Sequence, residues 1–175
     1  MDRLWSPWRY RYVSGDLPPG ECVFCAKTRE ADEQGLILFR GRHNFALLNL
    51  FPYTTGHLMV APYAHLANLE DLPEQTAVEM LALARRAVLC LKRVYRPEGL
   101  NVGLNLGQCA GAGIADHLHL HVLPRWTGDA NFLSTIGETR VLPEDLGATW
   151  RKLSAAFHES GPEEIAPPQP DAAPG

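Results

Sequence analysis

Long apolar runs are missing from these 175 residues: nothing approaches the roughly 18 that a membrane span needs. The N-terminus also lacks the apolar core of a secretory signal, so the expected location is the cytoplasm. Excess positive charge is absent too. Sixteen Lys and Arg stand against twenty Asp and Glu, for a net charge of −4, so no broad surface for nucleic acid is advertised. Cysteine is scarce, at four residues, and in a reducing compartment these are thiols or metal ligands rather than disulfides. Phosphate-loop chemistry is excluded as well, because no glycine-rich stretch carries the required spacing and the following Lys-Ser/Thr. Ordinary apolar content (46%) and charged content (21%) leave a single soluble domain large enough for a real core.

Histidine is what the chain has in one place. His117-Leu118-His119-Leu120-His121-Val122-Leu123-Pro124-Arg125 sets three imidazoles at every second position with apolar residues between them. A strand sends alternate side chains to opposite faces, so the histidines share one face and the apolar residues the other. Neighbouring imidazoles on such a face lie about 7 Å apart, given about 3.3 Å of rise per residue. Two of them cannot both reach one small metal at bonds of about 2.0–2.1 Å, so the three have different jobs. A lone core histidine would be unremarkable; three in phase are not.

These residues resemble the signature of the histidine triad (HIT) family. The stretch from Asn49 to His65 resembles that family's second motif: a strand ending in Asn or Asp, a loop, Gly-His, an apolar strand, then Pro-x-x-His. Separately, Cys22-Val23-Phe24-Cys25 is either a redox pair or half of a zinc site. Pro18-Pro19-Gly20 precedes it and no parallel βαβ unit follows, which favours zinc. No second Cys-x-x-Cys exists, so histidines must close the tetrahedron. The resemblance implies which ones, giving structural Zn2+ held by Cys22, Cys25, His65 and His117.

Further roles follow from the same resemblance. His119 is the implied nucleophile on an α-phosphorus, since neutral imidazole attacks well near pH 7 and can leave again. His121 is the implied donor to the leaving phosphate, and His117 completes the triad from the metal side. Asn49 would contact the ribose. Asn105 and the N–H groups of the Gly107–Asp116 loop, Gly111 and Gly113 among them, would hold phosphate oxygens. Arg125 or Arg140 would lie nearby. Many family hydrolases carry Gln where this chain has Gly113, and some members carry Ser where it has Ile114; Gln108 is the one amide left to substitute.

The sequence pattern predicts strands at 36–40, 44–51, 57–61, 100–106 and 117–123. It also predicts a long helix over 72–95 and a last helix over roughly 143–157. Asp71 and Glu74 fit a capping box for the long helix. Its inward stripe is predicted as Ala77, Leu81, Ala84, Val88, Leu91 and Tyr95, with Arg86 off it. The last helix has Leu146, Trp150, Leu153 and Phe157 in phase. Asn101, Gly103 and Asn105 fall on one face of their strand, a polar face with room over it. The fold class is α+β, an antiparallel sheet of about five strands with two main helices. A HIT domain is expected over 1–158, opened by an aromatic and basic arm at 1–20, with a disordered Pro-rich tail over 159–175.

The arm and the Arg125–Phe132 segment resemble the phosphorylase-like branch of the family. The implied function is cleavage of dinucleoside polyphosphates, such as diadenosine tetraphosphate, by phosphorolysis or hydrolysis through a nucleotidyl-His119 intermediate. A mononucleotide phosphoramidate or acyl-nucleotide hydrolase and a non-catalytic nucleotide-binding protein are the alternatives. A homodimer or larger homo-oligomer is the implied assembly; nucleic acid and membranes are not expected partners.

Overall fold

The structure, a computed structural model, describes residues 21–129, 136 and 142–160. The arm at 1–20, Arg140 and the tail from 161 lie outside the described residues. Five strands form one antiparallel sheet: β1 (Ile37–Arg40), β2 (Asn44–Leu48), β3 (Leu58–Pro62), β4 (Gly99–Leu104) and β5 (Leu120–Arg125). Their order across the sheet is β1-β2-β3-β5-β4. Two short helices, α1 (Val23–Lys27) and α2 (Asp32–Gly35), precede β1. The long helix α3 (Glu74–Tyr95) joins β3 to β4, and α4 (Leu146–Glu159) closes the described chain. This is the α+β arrangement the pattern predicts.

The two faces of the sheet are unlike. Leu48, Leu58, Val60, Leu120 and Val122 point toward α3 and α4, meeting Met80, Ala87 and Leu91 of one and Leu153 and Phe157 of the other. On the opposite face a smaller cluster of Ile37, Phe45, Leu47, Met59 and Ala61 is capped by Phe24 of α1. That cap sits over the β1–β3 side. Residues Asn101 to Gly103 of β4 are exposed.

One proline decides where β5 begins, and a second is accommodated within it. The predicted strand starts at His117, but the ladder with β3 stops at Val60–Leu120. Continuing it would need an N–H from Pro62, which has none. The chain instead bends at His117 and enters the ladder only at Leu120, with the Leu118 N–H donating to the Leu66 carbonyl at 2.6 Å. Pro124 does not end the strand, which runs to Arg125. Its carbonyl accepts from Thr54 Oγ1 at 3.0 Å, so its missing N–H also faces the side where β3 has already stopped. Likewise β2 stops at Leu48 because the Asn49 Oδ1 accepts the Phe51 N–H at 2.9 Å and turns the chain.

The long helix keeps most of its predicted stripe, since Ala84 and Leu91 are buried and Val88 and Tyr95 pack against the core, with Leu81 the exception. Leu81 is 65% exposed and Val78 63%, whereas Thr76, Met80, Leu83, Ala84, Ala87, Cys90 and Leu91 are buried. The predicted capping box does not form. Pro73 is the N-cap, with no side-chain cap, and Asp71 sits in a separate 3-10 turn with its carboxylate accepting from Asn68 Nδ2. Arg86, expected off the buried stripe, is itself buried. Its guanidinium lies 4.2 Å from the Phe39 ring centroid and donates to the carbonyls of Phe157 and Ser160. A fixed cation there satisfies the orphan carbonyls at the negative end of α4.

Glu79 ties α3 to the β1–β2 turn. Its carboxylate accepts the backbone N–H groups of Arg42, His43 and Asn44 at 2.7–2.8 Å and the Asn44 side-chain amide at 2.9 Å. Burial works to raise its pKa, but these donors together outweigh it and hold the carboxyl below its ordinary range. The stability this gives is full above the ordinary carboxylate pKa and is lost as pH falls through the lowered folded value. Glu79→Ala is expected to cost about 2–3 kcal/mol at neutral pH, by the scale of charge-assisted hydrogen bonds. Urea melts of wild type and variant should show that gap at pH 7 and a narrowing one toward pH 3. A gap independent of pH would contradict the assignment.

Candidate active site

Backbone partners assign the tautomers of His117, His119 and His57, and His57 in turn assigns that of His121. His117 Nε2–H donates to the Pro62 carbonyl at 2.9 Å, leaving the Nδ1 lone pair facing Cys22, Cys25 and His65. His119 Nδ1–H donates to the His117 carbonyl at 2.8 Å, so its Nε2 carries the free lone pair. The Tyr53 N–H donates to His57 Nδ1 at 3.1 Å, so His57 is protonated on Nε2. That Nε2–H donates to His121 Nδ1 at 2.9 Å, which leaves a proton on His121 Nε2. The result is a free nitrogen lone pair presented at one ring and an N–H donor at the next, with centroids 4.9 Å apart.

All three triad histidines are held below the ordinary imidazole pKa. Burial is the largest cause in each case. For His119 the bond to the His117 carbonyl partly opposes it, while for His121 the neighbouring His119 adds to it and takes the pKa down to about 4. Neutral imidazoles at physiological pH are what a nucleophile and a weak donor require.

The second cluster meets a geometric test for zinc. Bonds of about 2.05 Å to nitrogen and 2.3 Å to sulfur at tetrahedral angles separate two nitrogens by roughly 3.3 Å and nitrogen from sulfur by roughly 3.6 Å. His65 Nδ1 and His117 Nδ1 are 3.3 Å apart; Cys25 Sγ is 3.6 Å from each, and Cys22 Sγ is 3.2 Å from His117. All four donor atoms lie within 4.8 Å of one another. The bond from His117 Nε2 to Pro62 is the kind of outer contact that fixes a ligating imidazole. The donor set Cys22, Cys25, His65 and His117 therefore fits one closed tetrahedral ion. Phe24, between the two cysteines, packs at 5.1 Å from the His117 ring and 4.8 Å from His119, so the same turn that carries the thiols buttresses both imidazoles.

Other residues singled out in the sequence are placed less simply. Asn49 spends its oxygen on the Phe51 N–H, and its amide nitrogen lies 3.3 Å from His57 Nδ1. The loop before the triad differs from expectation. Its Ala110 and Ala112 N–H groups donate to the Gly107 carbonyl and the Gly111 N–H to the Gln108 carbonyl, so the Gly111 and Ala112 amides do not form an open anion cradle. Gly111 adopts φ +94°, which glycine tolerates, and lies above the Asn105 amide. Ile114, where a hydroxyl was lacking, packs onto the Phe24 cluster instead. Gln108 is exposed in a 3-10 turn. Arg125 shares the histidine face four residues beyond His121, bound to both Asp129 carboxylate oxygens at 2.6 and 2.8 Å and to Asn101 Oδ1 at 2.8 Å.

Sequence reasoning missed His57 and Tyr53. His57 is buried and bonded to His121, and the Tyr53 ring lies 4.6 Å from His57 and 6.0 Å from His121. The Gly56-His57 pair was visible as part of a motif, but nothing in its spacing ties it to a residue 64 positions away.

Comparison with known proteins agrees with this geometry. The HIT domain family matches residues 30–128. A protein of Mycobacterium tuberculosis named AP-4-A phosphorylase is 43% identical over 166 residues, spanning 90% of this chain and 85% of its own length. Among solved structures, a zinc-bound histidine triad family protein from Mycobacterium smegmatis superposes with a TM-score of 0.64 at 30% identity, covering 79% of this chain and 94% of that one. A HIT family member from Bacillus subtilis, at 23% identity and a TM-score of 0.56, shares the fold over 79% of this chain and 95% of its own. With its three in-phase histidines, the carbonyl-held His119 and a profile match across the whole sheet, the chain belongs to the histidine triad family.

Proposed function

We propose that this protein is a nucleotidyl-transferring enzyme that cleaves dinucleoside polyphosphates, with diadenosine tetraphosphate as the leading substrate and inorganic phosphate as the acceptor. The observation that carries the reading is His119: buried, neutral, and turned by the His117 carbonyl so that Nε2 is the attacking atom. The identity to a relative named AP-4-A phosphorylase supplies the substrate class.

His119 Nε2 forms a bond to the α-phosphorus as the bond from that phosphorus to the bridging oxygen breaks, and ATP leaves. The imidazole becomes cationic, and its Nδ1–H on the His117 carbonyl stabilises that charge. A polyphosphate leaves as an anion and needs no full proton, so the His121 Nε2–H serves as a hydrogen-bond donor to the departing oxygen. His57 keeps that proton on Nε2 by occupying Nδ1. An oxygen of inorganic phosphate then attacks the same phosphorus, releases His119 and gives ADP. Cys22, Cys25, His65 and His117 would hold zinc as a structural ion, which would fix the cysteine turn to the triad segment and take no part in the chemistry. Cysteines that are not bridged to one another suit a cytoplasmic location. The chain pairs as a homodimer through the open edge of β4, where Val102 is 49% exposed.

Diadenosine tetraphosphate incubated over a range of phosphate concentrations tests this reading. ADP and ATP formed in step with phosphate support it. AMP and ATP formed regardless of phosphate would identify a hydrolase, and no turnover would overturn the enzyme reading. Light scattering at twice the chain mass would support the dimer, and a monomer would remove it.

A further inference from the structure

Two glycines of β4, Gly99 and Gly103, have neither a left-handed backbone nor crowding to explain them, and the second is interior to the strand. Gly103 lies mid-strand in β4, directly opposite His121. Opposed residues of an antiparallel pair point to the same face, so Gly103 stands beside His121 on the catalytic side, with Cα atoms about 4.5–5.5 Å apart. Glycine in a strand interior weakens it by roughly 0.5–1 kcal/mol relative to alanine. Three circumstances could offset that cost: a left-handed backbone, crowding by neighbours, or a surface that must stay clear.

The first two fail on observation. The positive-φ glycines among the described residues are Gly56, Gly107, Gly111 and Gly128, and Gly103 is not one of them. A β-carbon at Gly103 would meet nothing within 4 Å, whereas one at Gly41 would come within 2.8 Å of the Asn44 carbonyl. A surface that must stay clear remains, and the place of Gly103 beside His121, on the face of the sheet and not at its pairing edge, points to substrate rather than to a second copy of the chain. The same register sets Asn101 opposite Leu123 and Gly99 opposite Arg125. From His121 a floor therefore runs past Gly103, over Leu123 and Asn101, to Arg125, about 13 Å along the strand.

We infer that Gly103 is a specificity-determining residue: it keeps open the floor that the second, departing nucleotide of a dinucleoside polyphosphate crosses. The inference rests on the proposed function and deepens it. A mononucleotide with a small leaving group ends at His121 and has no need of that floor. A polyphosphate carrying a second nucleoside must pass beyond His121, and a side chain at position 103 would stand in its way.

The test uses His119→Asn, so that substrate is bound and not consumed, with and without Gly103→Val. Calorimetry gives the dissociation constants of diadenosine tetraphosphate and of AMP. Valine should weaken the dinucleotide at least tenfold, leave AMP within twofold, and hold or raise the melting temperature, because a β-branched residue suits a strand. Gly103→Ala should fall between. Equal dinucleotide affinity with and without valine would overturn this inference alone. A parallel loss of AMP affinity, or a lowered melting temperature, would overturn it as general damage to the site. A changed association state with an unchanged ratio of the two affinities would assign the gap to a second copy of the chain. Should the His119→Asn parent bind the dinucleotide no more tightly than AMP, the proposed function itself fails, and this inference with it.

Discussion

Replacing His119 by alanine is expected to lower kcat on diadenosine tetraphosphate by at least about 10^4-fold, the scale seen when a covalent nucleophile is removed. No other imidazole can take over. His117 turns its lone pair toward the thiols, and His121 presents a proton and not a lone pair on Nε2. Water attacking directly would lack both the positioned nucleophile and the split into two easier steps. AMP affinity should change little, because the His119 ring is buried against Phe24 and contributes one atom to the substrate side. His119→Asn should behave alike, since its amide can reach the His117 carbonyl but offers no nitrogen lone pair. Two displacements at one phosphorus also predict overall retention of configuration. Inversion, or turnover within tenfold of wild type in either variant, would remove His119 from the nucleophile role.

How much of this site could be read from sequence depends on the range of the forces involved. The triad was legible because strand geometry repeats every two residues, so His117, His119 and His121 announce their shared face locally. The grouping of Cys22, Cys25, His65 and His117 was legible as an ordered set of thiol and imidazole donors, though only the resemblance said which histidines complete it. His57 was opaque: it reaches His121 across the β3–β5 pairing, and pairing register is a tertiary fact. Two residues of α3 misled for a related reason. Leu81 is as apolar as Met80 and Leu83 yet lies exposed, while Arg86 is drawn inward by the aromatic rings of Phe39 and Phe157 and by the carbonyl end of α4. No hydrophobicity pattern places a cation there. The loop before the triad was rich in glycine and suggested an anion cradle; which way its N–H groups turn is set by the carbonyls of Gly107 and Gln108, and composition says nothing of that. The room over Gly103 was visible in the alternation of β4, but its place beside His121 needed the register.

Removing the metal is expected to be the largest single blow to stability. Structural zinc contributes about 10–16 kcal/mol in small fingers that fold only around it. Here the core under α3 and α4 is independent of the ion, so only part of that figure should appear, about 4 kcal/mol or more. By the usual scaling for a chain of this size, that lowers the melting temperature by roughly 10–15 °C. The loss should not stop at stability. Without the ion, Cys22 and Cys25 no longer pin α1, and Phe24 loses its seat against His117 and His119. The His117 carbonyl that orients the nucleophile hangs on the same ligand. Cys25→Ser should therefore show less than one-tenth of the wild-type zinc by atomic emission, the lowered melting temperature, and a fall in kcat larger than any rise in KM. Serine keeps the volume of the thiol but not its affinity, so a purely steric role would leave all three unchanged. Wild-type protein purified without chelators and carrying no stoichiometric zinc would sink the assignment, as would a Cys25→Ser variant that melts with the wild type.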